Sequence, residues 1–149
     1  MELITKSARE TKKLGEALSA DIVSGKVSNV LALKGDLGSG KTTFVQGLAK
    51  GLGIAGRIIS PTFIIIRKYP IKGMDPKSSL KAFYHVDLYR LEGDLDKEIL
   101  NLGFPYLWSE PQNVMVIEWA EKVEKLIPSG ATWITFEDMG KDSRKIEIK

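Results

Sequence analysis

The pattern of apolar and polar residues predicts a chain in which helices and strands alternate. Ser7 and Glu10 have the spacing of a capping box, and apolar residues at helical spacing follow as far as Gly25, which predicts a first helix. A short apolar run predicts a strand at residues 30–33, and a second amphipathic helix is predicted at residues 41–51. Further strands are predicted at residues 58–59, 63–69, 82–88, 115–119, 133–136 and 146–148, and further helices at 95–102 and 120–127. Helices alternate with strands early in the chain and strands dominate its end, so we expect an α/β fold with a mixed sheet.

Composition narrows the possible classes of protein. The 149 residues are 43% hydrophobic and 28% charged, which is typical of one globular domain, residues 1–149. The apolar runs are far shorter than the roughly 18 residues of a spanning helix, and the start of the chain has no apolar segment of the secretory type. No cysteine is present, which excludes disulfides and zinc–thiolate sites. We therefore expect a cytoplasmic protein without a membrane partner; its net charge of +3 is compatible with nucleic acid but does not indicate it.

A phosphate-binding loop is the strongest motif. Residues 35–42, GDLGSGKT, match the pattern G-x-x-x-x-G-K-[ST] at every fixed position, after a predicted strand and before a predicted helix. Glycines allow the backbone N–H groups to converge on a phosphate, and the helix start adds its positive dipole end. Lys41 can reach the outer phosphates and the Thr42 hydroxyl can ligate Mg²⁺. No [NT]-K-x-D motif for guanine is present, which favours ATP.

Two carboxylates at predicted strand ends are candidates for holding Mg²⁺. Glu118 follows an apolar run typical of a buried central strand, and alternation places His85 and Asp87 on one face of another strand. Ligands of α/β sheets bind at the carboxyl ends of strands, so both positions suit a site. The alternative is that either carboxylate simply faces solvent. His85 is the single histidine, and we interpret it as a hydrogen-bonded structural residue rather than a base.

Four motifs in order carry a resemblance to a known family. They are GDLGSGKTT at 35–43, SPTF at 60–63, HVDLYR at 85–90 and IEW at 117–119. With these motifs the chain resembles the TsaE family, the P-loop ATPases of bacterial tRNA threonylcarbamoyladenosine synthesis. The resemblance implies a three-layer α/β P-loop fold that binds ATP and Mg²⁺. Glu118 departs from the aspartate usual at this position of P-loop proteins, and its longer side chain could act through a water.

The resemblance also implies roles for individual residues. The phosphate cradle would consist of Gly38, Ser39, Gly40, Lys41, Thr42 and Thr43. Mg²⁺ would be held by Thr42 and Glu118. Thr62 would sense the γ-phosphate, although a Ser-Pro-Thr turn with ordinary capping is the alternative. Asp87 would orient water or the metal's ligands, so the catalytic set would be Lys41, Thr62, Asp87 and Glu118. Trp119 would shape the nucleotide pocket, although it could instead be a core aromatic, and Thr11 and Glu121 would approach the nucleoside.

The activity implied by the resemblance is ATP hydrolysis that is slow alone and coupled to partners. Those partners would be the TsaD and TsaB proteins, which transfer threonylcarbamoyl to adenosine 37 of tRNAs that read ANN codons; tRNA would be met through that complex. No arginine is marked by the sequence as a finger for the γ-phosphate; the candidates are Arg57, Arg67, Arg90 and Arg144. A nucleoside or small-molecule kinase and a nucleotide-binding module without turnover remain as alternatives.

Overall fold

The secondary structure is an alternation of strands and helices that ends in a hairpin. The computed structural model describes residues 1–54, 56–58, 65–72 and 78–149. In chain order the elements are β1 (Glu2–Thr5), α1 (Ala8–Val23), β2 (Val30–Lys34), α2 (Lys41–Gly51), β3 (Ile66–Pro70), β4 (Ala82–Asp87), α3 (Leu95–Asn101), α4 (Phe104–Ser109), β5 (Asn113–Glu118), a 3-10 helix (Ala120–Leu126), β6 (Thr132–Gly140) and β7 (Ser143–Ile148). Among the described residues, no helix is both long and apolar enough to cross a bilayer.

The seven strands form one mixed sheet in the order β1-β7-β6-β2-β5-β4-β3. The four central strands β6, β2, β5 and β4 pair in parallel, whereas β3, β7 and β1 join antiparallel to their neighbours. Strand β2, which leads into the phosphate loop, lies between β5 and β6. The carboxyl ends of β2, β5 and β4 therefore meet at one edge of the sheet.

Alternate residues of the central strands face two separate cores. On β2, Leu31 and Leu33 pack with α1 and α2, whereas Val30 and Ala32 pack on the opposite face, where α3, α4 and the 3-10 helix lie. Strand β5 repeats the alternation and is buried along most of its length, as expected of a parallel strand covered on both faces. The three-layer α/β sandwich with a mixed sheet is thus confirmed.

Helices α1 and α2 approach so closely that glycines are required between them. A Cβ on Gly47 would lie 1.9 Å from the Lys12 carbonyl oxygen, and one on Gly15 would lie 2.3 Å from the Phe44 carbonyl oxygen. The cap at Ser7 forms as predicted, because its hydroxyl accepts from the Glu10 N–H at 3.1 Å. The close packing of the two helices brings the start of α1 beside the phosphate loop, where Ala8 and Thr11 line a cavity together with Gly40 and Thr43.

Several elements differ from the sequence predictions. Strand β1 was not predicted, since Ile4 is exposed at the sheet edge and breaks the alternation. Helix α4 was also missed; Gly103, at φ 77°, separates it from α3, which ends at Asn101. The helix predicted at 120–127 is a 3-10 helix interrupted at Val123. Ile58 does not lie in a strand, and the rest of that prediction falls on residue 59, outside the described residues.

The last two strands are longer than predicted. Strands β6 and β7 extend to Gly140 and back to Ser143 around a turn in which Lys141 and Asp142 both have positive φ. This is the backbone of a two-residue hairpin turn of the kind that usually carries Asn-Gly. Lys-Asp is an unusual sequence for such a turn, so the sequence did not predict the hairpin. The hairpin brings Arg144 next to Gly40 of the phosphate loop.

Candidate functional site

The register of the sheet brings the predicted carboxylates together. Glu118 at the end of β5 pairs with Leu33 of β2 on one side and with Asp87 of β4 on the other. A cavity of about 220 Å³ opens at this edge, lined by Leu37, Gly38, Gly40, Lys41, Thr42, Thr43, Asp87, Glu118, Trp119 and Arg144. Most of the predicted site residues therefore share one cavity.

The phosphate loop has the backbone that its glycines permit. Gly38 has φ 76° and Gly40 has φ 101°, both in the left-handed region that favours glycine. No described side chain caps the start of α2, so its first N–H groups are available to a ligand. Ser39 is buried within the loop. The loop and helix α2 thus form an uncapped helix terminus, an arrangement whose free N–H groups suit an anion.

Lys41 folds back onto the loop that precedes it. Its ammonium donates to the carbonyl oxygens of Gly35 and Asp36, the latter at 2.8 Å, and lies 3.4 Å from the Ser39 hydroxyl. The same ammonium lies 4.7 Å from the centre of the Trp119 ring, a cation–π contact. Lys41 is therefore held by carbonyl oxygens and a π face at the rim of the cavity.

Burial lowers the pKa of Lys41 below its ordinary value of 10.5. Acidic groups oppose this effect; in order of decreasing influence they are Glu118, Glu121, Asp87 and Asp36. Desolvation outweighs them. The cavity therefore combines a buried cation with surrounding carboxylates.

Glu118 is itself buried and has a specific partner. Its carboxylate Oε2 lies 2.5 Å from Nε2 of His85, and both side chains are almost completely inaccessible. The other ring nitrogen of His85, Nδ1, has no hydrogen-bond partner among the described residues. His85 thus has the structural, hydrogen-bonded role expected of it, and the group that it orients is the candidate metal ligand.

Asp87 and Trp119 form the two ends of the cavity wall next to Glu118. Asp87 Oδ1 accepts the Tyr89 N–H at 2.9 Å, which closes a turn after β4. Trp119 follows Glu118 directly and has φ 60° and ψ 36°, a left-handed backbone that is uncommon for a bulky residue and typical of functional sites. This conformation directs the indole over Lys41 and to within 5.1 Å of the Tyr89 ring.

Thr11 and Glu121 lie at the margins of this arrangement. Thr11 is buried, with its hydroxyl 2.7 Å from that of Thr5, and it lines a small second cavity of about 40 Å³ beside Gly40 and Thr43. Glu121 does not line the larger cavity, but one of its carboxylate oxygens is buried without a hydrogen-bond partner among the described residues. Thr62 and the rest of the SPTF motif lie outside the described residues.

Arg144 is the residue that the sequence did not single out. It lines both cavities, and a Cβ on Gly40 would lie 3.5 Å from its Nε atom. Its Nη1 donates to Asp138 Oδ1 and to the Ser143 carbonyl oxygen, each at 3.0 Å. In the sequence Arg144 was one of four equivalent arginines, and only the register of β6 with β7 distinguishes it.

The donor set fits Mg²⁺ bound together with phosphates. No group of three or more His, Cys, Asp or Glu residues able to hold a metal occurs in the described part of the chain. The cavity offers the hydroxyls of Thr42 and Thr43 and the carboxylates of Asp87 and Glu118. Mg²⁺ in nucleotide enzymes is held by one or two such protein oxygens together with water and substrate phosphates, so these residues are sufficient.

Comparison with known proteins identifies relatives. A Bacillus subtilis protein named tRNA threonylcarbamoyladenosine biosynthesis protein TsaE is 36% identical over 142 residues, covering 95% of this chain and 80% of that protein. The protein of the same name from Streptomyces coelicolor is 42% identical over 117 residues, covering 77% of this chain and 71% of that protein.

Structure and family agree with these relatives. The crystal structure of Bacillus subtilis YdiB is similar with a TM-score of 0.69 and 34% identity, covering 98% of this chain and 82% of that one. The sequence model of the family described as "Threonylcarbamoyl adenosine biosynthesis protein TsaE" matches residues 5–146. The chain therefore belongs to the TsaE family.

Proposed function

We propose that this protein is a Mg²⁺-dependent ATPase that supports threonylcarbamoylation of tRNA. The observation that carries the proposal is the meeting of Lys41, Thr42, Asp87 and Glu118 in one cavity at the carboxyl edge of a P-loop sheet. The relatives' names, which place them in threonylcarbamoyladenosine biosynthesis, supply the process. The proposal combines ATP hydrolysis in this cavity with threonylcarbamoyladenosine biosynthesis.

The chain's own residues divide the work of hydrolysis between them. The N–H groups of residues 38–43 bind the phosphates, and the Lys41 ammonium exchanges loop carbonyls for phosphate oxygens. Thr42 and Glu118 hold Mg²⁺, with Glu118 oriented by His85. When bound, the metal neutralises phosphate charge. Asp87, next to Glu118 in the register, orients the attacking water.

The nucleoside belongs on the α1 side of the loop. Thr11 lines the small cavity beside Gly40 and Thr43, at the start of α2. This position continues from the phosphate cradle toward α1 and the β6–β7 turn. Thr62 is assigned to the γ-phosphate on the resemblance of the SPTF motif alone.

The ATPase is slow alone and gated by partners. We place the TsaD and TsaB proteins in that role, with transfer to adenosine 37 of tRNAs reading ANN codons carried out by them and tRNA met through the complex. A physical reason for gating is that Arg144 is tied to Asp138 and Ser143, so partner contacts supply the remaining stabilisation of the γ-phosphate.

ATP hydrolysis by the purified chain, with and without TsaD and TsaB, tests the proposal. We expect feeble turnover alone, a clear rise with both partners, and loss of both in Lys41→Ala. Lys26→Ala, which removes an exposed lysine in the turn after α1, is the matched control and keeps wild-type rates. Vigorous turnover without partners, or none with them, contradicts the gated cycle, and phosphate found on an added nucleoside indicates a kinase instead.

A further inference from the structure

The ammonium group of Lys122 is fully hydrogen-bonded next to the site. Its ammonium donates to the carbonyl oxygens of Leu88, Tyr89 and Leu91 at 3.1, 2.7 and 3.2 Å. An ammonium has three N–H donors, so each is used on a backbone carbonyl. The half-buried Lys122 is thus part of the framework and not a solvated surface lysine.

These contacts join the segments that follow two neighbouring strands. Residues 88–91 form the turn that follows β4, whose last residue is Asp87. Lys122 lies in the 3-10 helix that follows β5, whose last residue is Glu118. The two segments also touch through the Tyr89 and Trp119 rings, and the Lys122 ammonium lies 5.9 and 5.8 Å from those two ring centres. The Leu88 N–H already donates to the Glu118 carbonyl oxygen at 3.2 Å, and the Lys122 side chain adds three further hydrogen bonds between the two segments.

We infer that Lys122 is a positioning residue for the proposed hydrolysis: it clamps the turn after Asp87 to the segment after Glu118. The inference rests on the proposed function. Lys122 does not line the cavity that contains Lys41 and Glu118 and so acts through other residues. Asp87 is set by the turn that its own carboxylate closes onto the Tyr89 N–H. Releasing the carbonyls of that turn loosens the Tyr89 N–H that the Asp87 carboxylate accepts, and with it the Tyr89–Trp119 ring contact.

The substitutions separate hydrogen bonding from packing. Lys122→Met keeps an unbranched side chain of similar length and removes all three donors, whereas Lys122→Arg keeps donors and charge. Lys125→Met removes an exposed lysine from the same 3-10 helix and is the matched control. Each variant is compared with the wild type well below its unfolding temperature.

Hydrogen exchange of the nucleotide-free protein tests the clamp directly. We expect Lys122→Met to accelerate exchange of the amides at 88–91 by about tenfold or more, with Lys125→Met unchanged and Lys122→Arg intermediate. Unchanged exchange in Lys122→Met overturns the inference. Exchange that accelerates equally throughout the sheet also overturns it, since that result shows a general loss of stability.

Kinetics then test the positioning role. We expect kcat for ATP in Lys122→Met to fall roughly tenfold or more while the ADP dissociation constant stays within about twofold. An unchanged kcat with a released turn contradicts positioning. If the wild type itself hydrolyses no ATP with its partners, the proposed function fails, and the catalytic half of the inference with it; the exchange result decides the clamp independently.

Discussion

At the scale of residues, the site is a set of buried ionisable groups that constrain one another. Burial lowers the pKa of Lys41 although four carboxylates surround it, and Glu118 is buried against His85. Removing Lys41 should therefore change both the proposed phosphate binding and the protonation balance of the folded protein.

The pH dependence of stability should reveal the Lys41 ammonium. The pKa of Lys41 is lower in the folded protein than its ordinary value of 10.5. At pH values between the folded-state pKa and 10.5, the unfolded chain binds more protons than the folded protein does. In that range the contribution of Lys41 to the free energy of unfolding therefore rises with pH. Measured by urea unfolding from about pH 8 to about pH 10, the stability of the wild type should increase relative to Lys41→Met, by at most about 1.4 kcal/mol per pH unit. The difference in the free energy of unfolding between the wild type and the surface variant Lys26→Met should not change with pH. If the stability of the wild type relative to Lys41→Met falls as the pH rises, the lowered pKa of Lys41 is contradicted.

At the scale of elements, the position of the phosphate loop depends on the contact between α1 and α2. Gly15 and Gly47 leave no room for a Cβ at that contact, because backbone carbonyl oxygens of the facing helix occupy the space. Backbone yields less readily than a flexible side chain, so a methyl group there must separate the helices.

Gly47→Ala should therefore destabilise the protein although alanine favours helices. The added Cβ meets the Lys12 carbonyl oxygen at 1.9 Å, and we expect a loss of about 2 kcal/mol or more in the free energy of unfolding. Gly130→Ala, which adds a Cβ with nothing within 4 Å, should change stability by less than about 0.5 kcal/mol. Equal unfolding midpoints in denaturant for the two variants would refute the close packing.

Local patterns predicted the elements that their own sequences define. Helix α2 has the predicted bounds because the glycine loop starts it, and β5 was recognised by its continuous apolar run. The same patterns singled out Lys41, Thr42, Asp87 and Glu118, which the sheet brings together. The sequence did not single out Arg144 or Lys122. The position of Arg144 depends on an atypical hairpin turn, and that of Lys122 depends on carbonyl groups more than thirty residues away. Long-range pairing of this kind leaves no local signal.

At the scale of the whole molecule, the sheet positions the residues of the site, and the proposed ligands would supply the remaining oxygen atoms around a metal ion. The cavity lies at the ends of parallel strands, and the described residues contain no self-sufficient metal cluster. We therefore expect the metal to stabilise the protein mainly when the nucleotide is bound as well.

Chelation should separate structural from substrate-linked metal. EDTA should leave the unfolding temperature of the nucleotide-free protein within about 1 °C, because the described residues include no group of three or more His, Cys, Asp or Glu that could hold a structural metal. ATP with Mg²⁺ at about a hundred times the dissociation constant should add about 2.7 kcal/mol, and EDTA should remove most of that gain. A drop in the unfolding temperature on adding EDTA alone would reveal a structural metal. Thermal unfolding followed by circular dichroism measures all three conditions.

In the proposed ATPase, the folded-back Lys41 has a consequence for product release. Its ammonium already has carbonyl oxygens of Gly35 and Asp36 as acceptors, so a phosphate gains it only in exchange for those bonds. The exchange reduces the net affinity for any phosphate ligand, and ADP, which lacks the γ-phosphate, retains the least in return. When the product leaves, the ammonium finds its acceptors within its own loop and no unpaired charge stays buried. The loop thus supplies its own replacement for the departing phosphate, which favours turnover over retention of product.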